Sequence, residues 1–201
     1  MIRFLLVPAA IILLASCQEK GPLIDFGPKA SDTAFAAAVE APQPRVVLIE
    51  EFTGVTCPQC PAGHVALKSI SDANVGRVAI IGIQPIGNAQ SRPYDHDGVK
   101  TRNDNRTQVG TDIGSAIYGG VSALPQAGVD RMSDAGAISA LFLRTEWAPR
   151  VESRKAIATK ANIKISSVFN SSNREAAITV RVAYTDAISI GQKLTVAITE
   201  N

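Results

Sequence analysis

The chain has 201 residues, 46% of them hydrophobic and 5% aromatic, enough for one full domain and a second, smaller one. Its 20 Lys and Arg against 18 Asp and Glu leave a formal charge of +2, with no run of five like charges, so the basic footprint of a nucleic-acid binder is missing. Few aromatics also argue against a stacking surface for bases, and no nucleic-acid partner is expected.

Residues 1–16 read as a signal peptide: a short basic end with Arg3, an apolar run from Phe4 to Leu14, and small residues after it. About 11 apolar residues make roughly 16 Å of helix, against a hydrocarbon core of about 30 Å, so the run is too short for a permanent span. Leu14-Ala15-Ser16-Cys17 resembles a bacterial lipobox, in which cleavage leaves the cysteine as a lipidated first residue. Cys17 is therefore the expected lipidation site, and its acyl chains would hold the protein to a membrane. An ordinary signal with a chance cysteine is the alternative.

Residues 17–44 read as a lipidated tether, rich in Pro, Gly and Ala and without a sustained period. Ser31 to Val39 is open between a short Ala-rich helix and an extra strand.

Val46 to Phe52 (Val-Val-Leu-Ile-Glu-Glu-Phe) is a near-continuous aliphatic run of the length of a strand buried on both faces. Thr53-Gly54-Val55-Thr56 breaks it. Cys57-Pro58-Gln59-Cys60-Pro61-Ala62-Gly63-His64 follows and leads into Val65, Leu67 and Ile70 at helical spacing. With Cys17 taken by lipid, the other two of the three cysteines form a pair in an exported chain, where disulfides persist. A cysteine capping a helix faces unpaired N–H groups and the positive end of the dipole, which favour its thiolate. Cys57 is thus expected to be the exposed nucleophile, and Cys60, one turn on, the group that resolves a mixed disulfide. With Cys57 as N-cap, Pro58 sits harmlessly at the first helical position, but Pro61 cannot donate to the Cys57 carbonyl, which predicts a loosened first turn.

Val46 to Leu67 resembles the active-site segment of a thioredoxin-like protein. Ile49-Glu50-Glu51-Phe52-Thr53-Gly54 followed by Cys-x-x-Cys-Pro-x-Gly-His is similar in particular to the Omp twenty-eight-related outer membrane protein family of lipoproteins. The resemblance implies a thioredoxin-like domain with a β-rich tail. It also implies a buried carboxylate six residues before the first cysteine, which is Glu51, as proton shuttle for Cys60, with Glu50 on the opposite strand face. Two glutamates in water at a strand end are the plainer alternative. The segment departs from thioredoxins in carrying Thr56 where they have Trp, and Pro58-Gln59 where they have Gly-Pro.

Arg77 to Gln84 is a second buried strand by the same test. Pro85 to Tyr118 is polar, with an irregular helix expected around Gly98 to Val109 within a solvated excursion. Gln126 to Arg131 reads as a third strand. The resemblance implies a cis-proline just before it, at Pro125, beside the disulfide, with the Leu124 backbone as the docking edge for an extended substrate. Ser133-Asp134 is a candidate cap for a helix carrying Ile138, Leu141 and Phe142, and Trp147 and Val151 suggest that helix resumes after an interruption near Pro149. From Ala161, three short alternating runs (Ile163 to Ile165, Ile178 to Val182, Leu194 to Ile198) predict a small antiparallel β segment. Its last run ends so near the end of the chain that two alternatives stay open: an edge paired with the domain or a partner, or a longer protein.

The expected fold class is α/β: a thioredoxin-like mixed sheet with flanking helices over 45–157, then an antiparallel β segment over 158–201. The expected function is thiol–disulfide exchange with the thiols and disulfides of exported proteins, in an outer-membrane lipoprotein whose face is left open; no cofactor is expected. The first alternative is a non-catalytic envelope protein with a structural disulfide. The second is a metal site using Cys57, Cys60 and His64, with His96 as a fourth ligand, although the spacing fits no standard zinc module, and no metal is expected at the site. Asp95-His96-Asp97 reads as a polar turn.

Overall fold

The computed structural model describes residues 31–96, 98–100 and 103–199. The signal peptide, Cys17 and most of the tether lie outside these, as do Asp97 and the side chain of His96. The chain divides into two units, 1–37 and 38–201. The described part of the first, 31–37, is exposed and carries neither helix nor strand.

The second unit is mixed α/β. Its main sheet has four strands, with β1 (Val47–Phe52) and β5 (Gln126–Val129) in the middle, β2 (Val78–Ile83) on one edge and β6 (Leu141–Phe142) on the other. β1 and β2 run parallel, joined by α1 (Cys60–Ala73), while β1, β5 and β6 are mutually antiparallel where they pair. A two-residue pair, β3 (Asp95–His96) with β4 (Val99–Lys100), lies between β2 and α2 (Gln108–Tyr118), and α3 (Arg144–Lys155) follows β6.

The pleat of β1 sorts its side chains. Val47 and Ile49, both fully buried, pack on Leu67 and Ile70 of α1 and on Trp147 and Val151 of α3. Glu51 belongs to that same face. Phe52 faces the other way and meets the Tyr118 ring edge-on, with centroids 5.4 Å apart, so Glu50 belongs with α2. Burial of every β1 residue but the half-buried Leu48 matches the expectation of a strand covered on both faces.

α2 replaces the irregular helix expected at 98–109. Thr107 caps it, its Oγ1 accepting from the Gly110 N–H at 2.9 Å, and Gly119 ends it at φ 72°. The helix expected from Ser133 is also absent. Leu141 and Phe142 are instead a short strand on β5, and Ile138 is fully exposed. α3 then runs through Pro149 without a break. The lost bond there is outweighed by packing, since Trp147 and Val151 are fully buried and the Trp147 indole donates to the Phe142 carbonyl at 2.9 Å.

β7 (Ala161–Asn170) and β8 (Glu175–Tyr184) form the expected antiparallel ribbon. Leu194 to Ile198 does not join it, and no strand or helix occurs over 185–199. Ile163 and Ile165 face Val182 and Val180 in register, with Lys164 opposite Arg181 on the other side. A two-stranded ribbon is marginal in water by itself. Its base is tied to the end of the expected tether: Asn162 accepts from the Gln43 N–H at 2.9 Å and donates to Glu40 and Ala41 at 3.0 Å each. Among the described residues, no helix is long and apolar enough to cross a membrane.

Candidate functional site

Cys57 and Cys60 are joined in a disulfide with their Cα atoms 5.4 Å apart. The helix begins later than the spacing suggests. Its N-cap is Gln59 and its first residue Cys60, so Cys57 stands three residues before α1 in a turn closed by the Cys60 N–H on the Cys57 carbonyl at 3.3 Å. This shift has a physical cause at Pro61. As the second helical residue its missing N–H would be unpaired anyway, and the first helical bond runs from Gly63 N–H to Gln59 O at 3.2 Å. The expected loosened turn is thereby avoided. Nor is Cys57 exposed in this oxidised form: it is 4% accessible and Cys60 1%.

Both glutamates are buried at 2% accessibility, so the reading of two carboxylates in water is overturned. They meet opposite environments. Glu50 accepts from Arg131 at 2.8 and 2.6 Å and from the Tyr118 hydroxyl at 2.6 Å. Arg131 and its neighbour Asp130 both sit at positive φ, 53° and 50°, a conformation disfavoured for such residues. Asp130 is held there by the Leu48 N–H and by Arg45 and Arg154. Burial and the Glu50 carboxylate push the Tyr118 hydroxyl far up.

Glu51 has no such cation against it. Its Oε1 is buried without a hydrogen-bond partner, and burial pushes its carboxyl up to about 7. Its Oε2 lies 3.4 Å from Nε2 of His64, a side chain 57% exposed. The same Nε2 is 3.0 Å from the Thr53 hydroxyl. Gly63 makes room for the carboxyl: a Cβ there would lie 2.8 Å from Oε1.

The Leu124–Pro125 bond is cis. Leu124 is buried in one apolar cluster with Cys57, Cys60 and Phe52, and the Pro125 ring lies beside Gly63. Cys57, Cys60, Leu124, Pro125 and Glu51 are thus gathered around the start of α1.

Three features here are not evident from the sequence alone. One is Gly63, whose place on the buried face three residues after Cys60 was a usable signal that another group fills that space. A second is the Tyr118–Glu50–Arg131 cluster, which joins positions 68 and 81 residues apart and leaves no local trace. The third is a clasp. The Gln90 carbonyl accepts from both the N–H and the hydroxyl of Thr56 at 3.0 Å, and Ser91 donates to the Thr53 carbonyl at 3.0 Å. A Cβ on Gly54 would lie 2.3 Å from that Gln90 oxygen, so only glycine lets the two backbones meet.

The Cys57, Cys60 and His64 metal set is not assembled. The sulfurs are bonded to each other and Nε2 faces Thr53 and Glu51. Among the described residues, no group of three or more His, Cys, Asp or Glu side chains is placed to hold a metal ion.

Comparison of the chain with protein-family models, with curated proteins and with solved structures yields no match.

Proposed function

We propose that this chain is a lipid-anchored protein of the cell envelope whose thioredoxin-like domain, over 45–157, exchanges disulfides with exported proteins through Cys57 and Cys60. The observation that carries this reading is the meeting of Glu51 and Pro125 at Gly63, on the turn of α1 that follows Cys60. Three separated stretches of sequence supply a disulfide, a carboxyl raised by burial to about 7 and a proline in one place, and perturbed carboxyls concentrate at working sites.

In the reducing direction, the Cys57 thiolate attacks a substrate disulfide. A Cys57–substrate S–S bond forms, and the other substrate sulfur leaves as a thiolate. Cys60 then gives its proton to the Glu51 carboxylate and attacks the Cys57 sulfur. The Cys57–Cys60 bond forms, the second substrate sulfur leaves, and two electrons have passed from the protein dithiol to the substrate. The reverse sequence oxidises a substrate dithiol. The backbone at Leu124 serves as the edge along which an extended substrate lies, and Cys17 carries the acyl anchor. No cofactor takes part in these steps.

Trapping tests this. Cys60→Ala leaves the mixed disulfide unresolved, so Cys57 is expected to accumulate bonded to partner proteins in envelope extracts, and Cys57→Ala is expected to trap none. Equal recovery with both variants, or with neither, contradicts the exchange reading.

The burial of both cysteines favours a second reading, in which the disulfide is a structural staple and the protein binds partners without redox chemistry. A staple traps nothing in the same experiment.

A further inference from the structure

We propose that His64, seated on Thr53, carries protons between the buried Glu51 carboxyl and solvent, and thereby sets how fast the Cys57–Cys60 pair exchanges disulfides. This rests on the exchange reading and adds to it the route by which the proton leaves.

Glu51 is a poor terminus for a proton. It lies 3% exposed in its side chain, flanked in the sheet by Gly82 and Ala127, with Gly63 against its Oε1 and the Pro125 ring beside Gly63. None of these neighbours can accept a proton through its side chain. The other titratable groups nearby are Cys57 and Cys60, which are what Glu51 is to serve. Glu50 belongs to the opposite strand face and is occupied by Arg131 and Tyr118. A proton taken from Cys60 therefore needs a carrier before Glu51 can act again.

His64 reaches both sides of that barrier. Its Nε2 is 3.4 Å from Oε2 of Glu51, while its side chain is 57% exposed. The nearest charged side chain further along α1, Lys68, is held by Asp72 at 2.8 Å. Imidazole has two ring nitrogens and exchanges protons readily near neutral pH. The Thr53 hydroxyl, 3.0 Å from Nε2, suits either state of that atom: it donates to the bare lone pair and accepts from the N–H. When Glu51 gives up its proton, Nε2 gains it, the ring becomes a cation beside a carboxylate, and Nδ1–H releases a proton to water. Number of protons and charge balance in both directions. His64 acts through Glu51 and is a positioning and relay residue.

The test follows the rate at which reduced full-length protein is oxidised by glutathione disulfide between about pH 5 and about pH 9. Wild type is expected to show an inflection near 7 that Glu51→Gln abolishes. In His64→Gln the rate at neutral pH is expected to fall about tenfold, with the inflection left in place. Added imidazole is expected to restore the rate of His64→Ala, which a purely structural histidine would not allow. An unchanged rate in His64→Gln, or an inflection that survives Glu51→Gln, overturns the relay while leaving exchange standing. A wild-type dithiol that does not react with glutathione disulfide at any pH overturns the exchange reading itself, and the relay with it.

Discussion

Gly63 faces Pro125 so closely that a Cβ on the glycine would lie 3.1 Å from the proline Cγ and 3.2 Å from its Cβ. The Glu51 carboxyl closes the same space from a third side. Alanine at a helix interior gains about 1 kcal/mol over glycine, whereas overpacking a filled core costs about 1–3 kcal/mol. The nearest atom is the end of the Glu51 side chain, which can shift, but the Pro125 ring at 3.1 and 3.2 Å is tied to its backbone and cannot, so crowding outweighs propensity. Gly63→Ala is expected to lower stability by about 1 kcal/mol in urea unfolding, and a stabilised variant would show that the space is softer than the contacts imply.

The Glu50 cluster predicts a larger effect. Arg131→Met leaves a carboxylate buried without its cation, which costs about 3–5 kcal/mol. Tyr118→Phe removes one hydrogen bond to a charged group, about 1.5–3 kcal/mol, and keeps the ring contact with Phe52. Thermal unfolding of both variants checks the ranking. A milder Arg131→Met than Tyr118→Phe would mean that the cation is dispensable.

What the sequence disclosed and what it hid divide along physical lines. β1, β2 and the ribbon β7–β8 follow from local apolar or alternating runs, but β2, expected to be buried like β1, is an edge strand in which Ala79, Ile80 and Gly82 are exposed, and most of the ribbon is exposed as well. α2 was hidden because its buried stripe is Gly110, Gly114 and Tyr118, two of which carry no apolar side chain. A Cβ on Gly110 would lie 2.7 Å from Ile83, and one on Gly114 2.8 Å from Val121. Meanwhile Val109 is 66% exposed, so hydrophobicity marks the wrong face. Leu141 and Phe142 matched a helical stripe, but pairing with β5 decides their state, and Trp147 carries α3 past Pro149 by tertiary packing. Of the site, the Cys57–Cys60 pair was legible as a spacing and Glu51 and Pro125 only through the resemblance to thioredoxin-like proteins, while His64 and Gly63 were visible as residues but not as contacts.

Glu51 makes stability depend on pH in a definite direction. Its carboxyl rises from an ordinary 4.5 to about 7 on folding, so the folded state holds a proton that the unfolded state has released between these values. Stability due to this group is therefore full below pH 4.5 and falls as pH rises, levelling off above about 7. Glu51→Gln keeps the shape without the charge. It is expected to be more stable than wild type at alkaline pH by about 3 kcal/mol, with the difference shrinking toward zero in acid. Denaturant midpoints at several pH values give the curve, and parallel curves for the two proteins would place Glu51 in contact with water.

The anchor has its own check in intact mass. Wild-type protein expressed with its native leader in a bacterial host is expected to begin at Cys17 and to carry acyl mass, and Cys17→Ala to yield a soluble or uncleaved product. A mature N-terminus without acyl mass would leave Cys17 a free thiol.

The reduction potential of the Cys57–Cys60 pair tests the central claim most directly. Stabilising the reduced form raises the potential, whereas a bond held as a staple gains nothing from reduction. The titration is run on full-length protein in glutathione and dithiothreitol buffers, with the free thiols alkylated and counted by mass. A disulfide that exchanges with exported proteins is predicted to lie between about −120 and −270 mV, and a value below about −300 mV would contradict the exchange function.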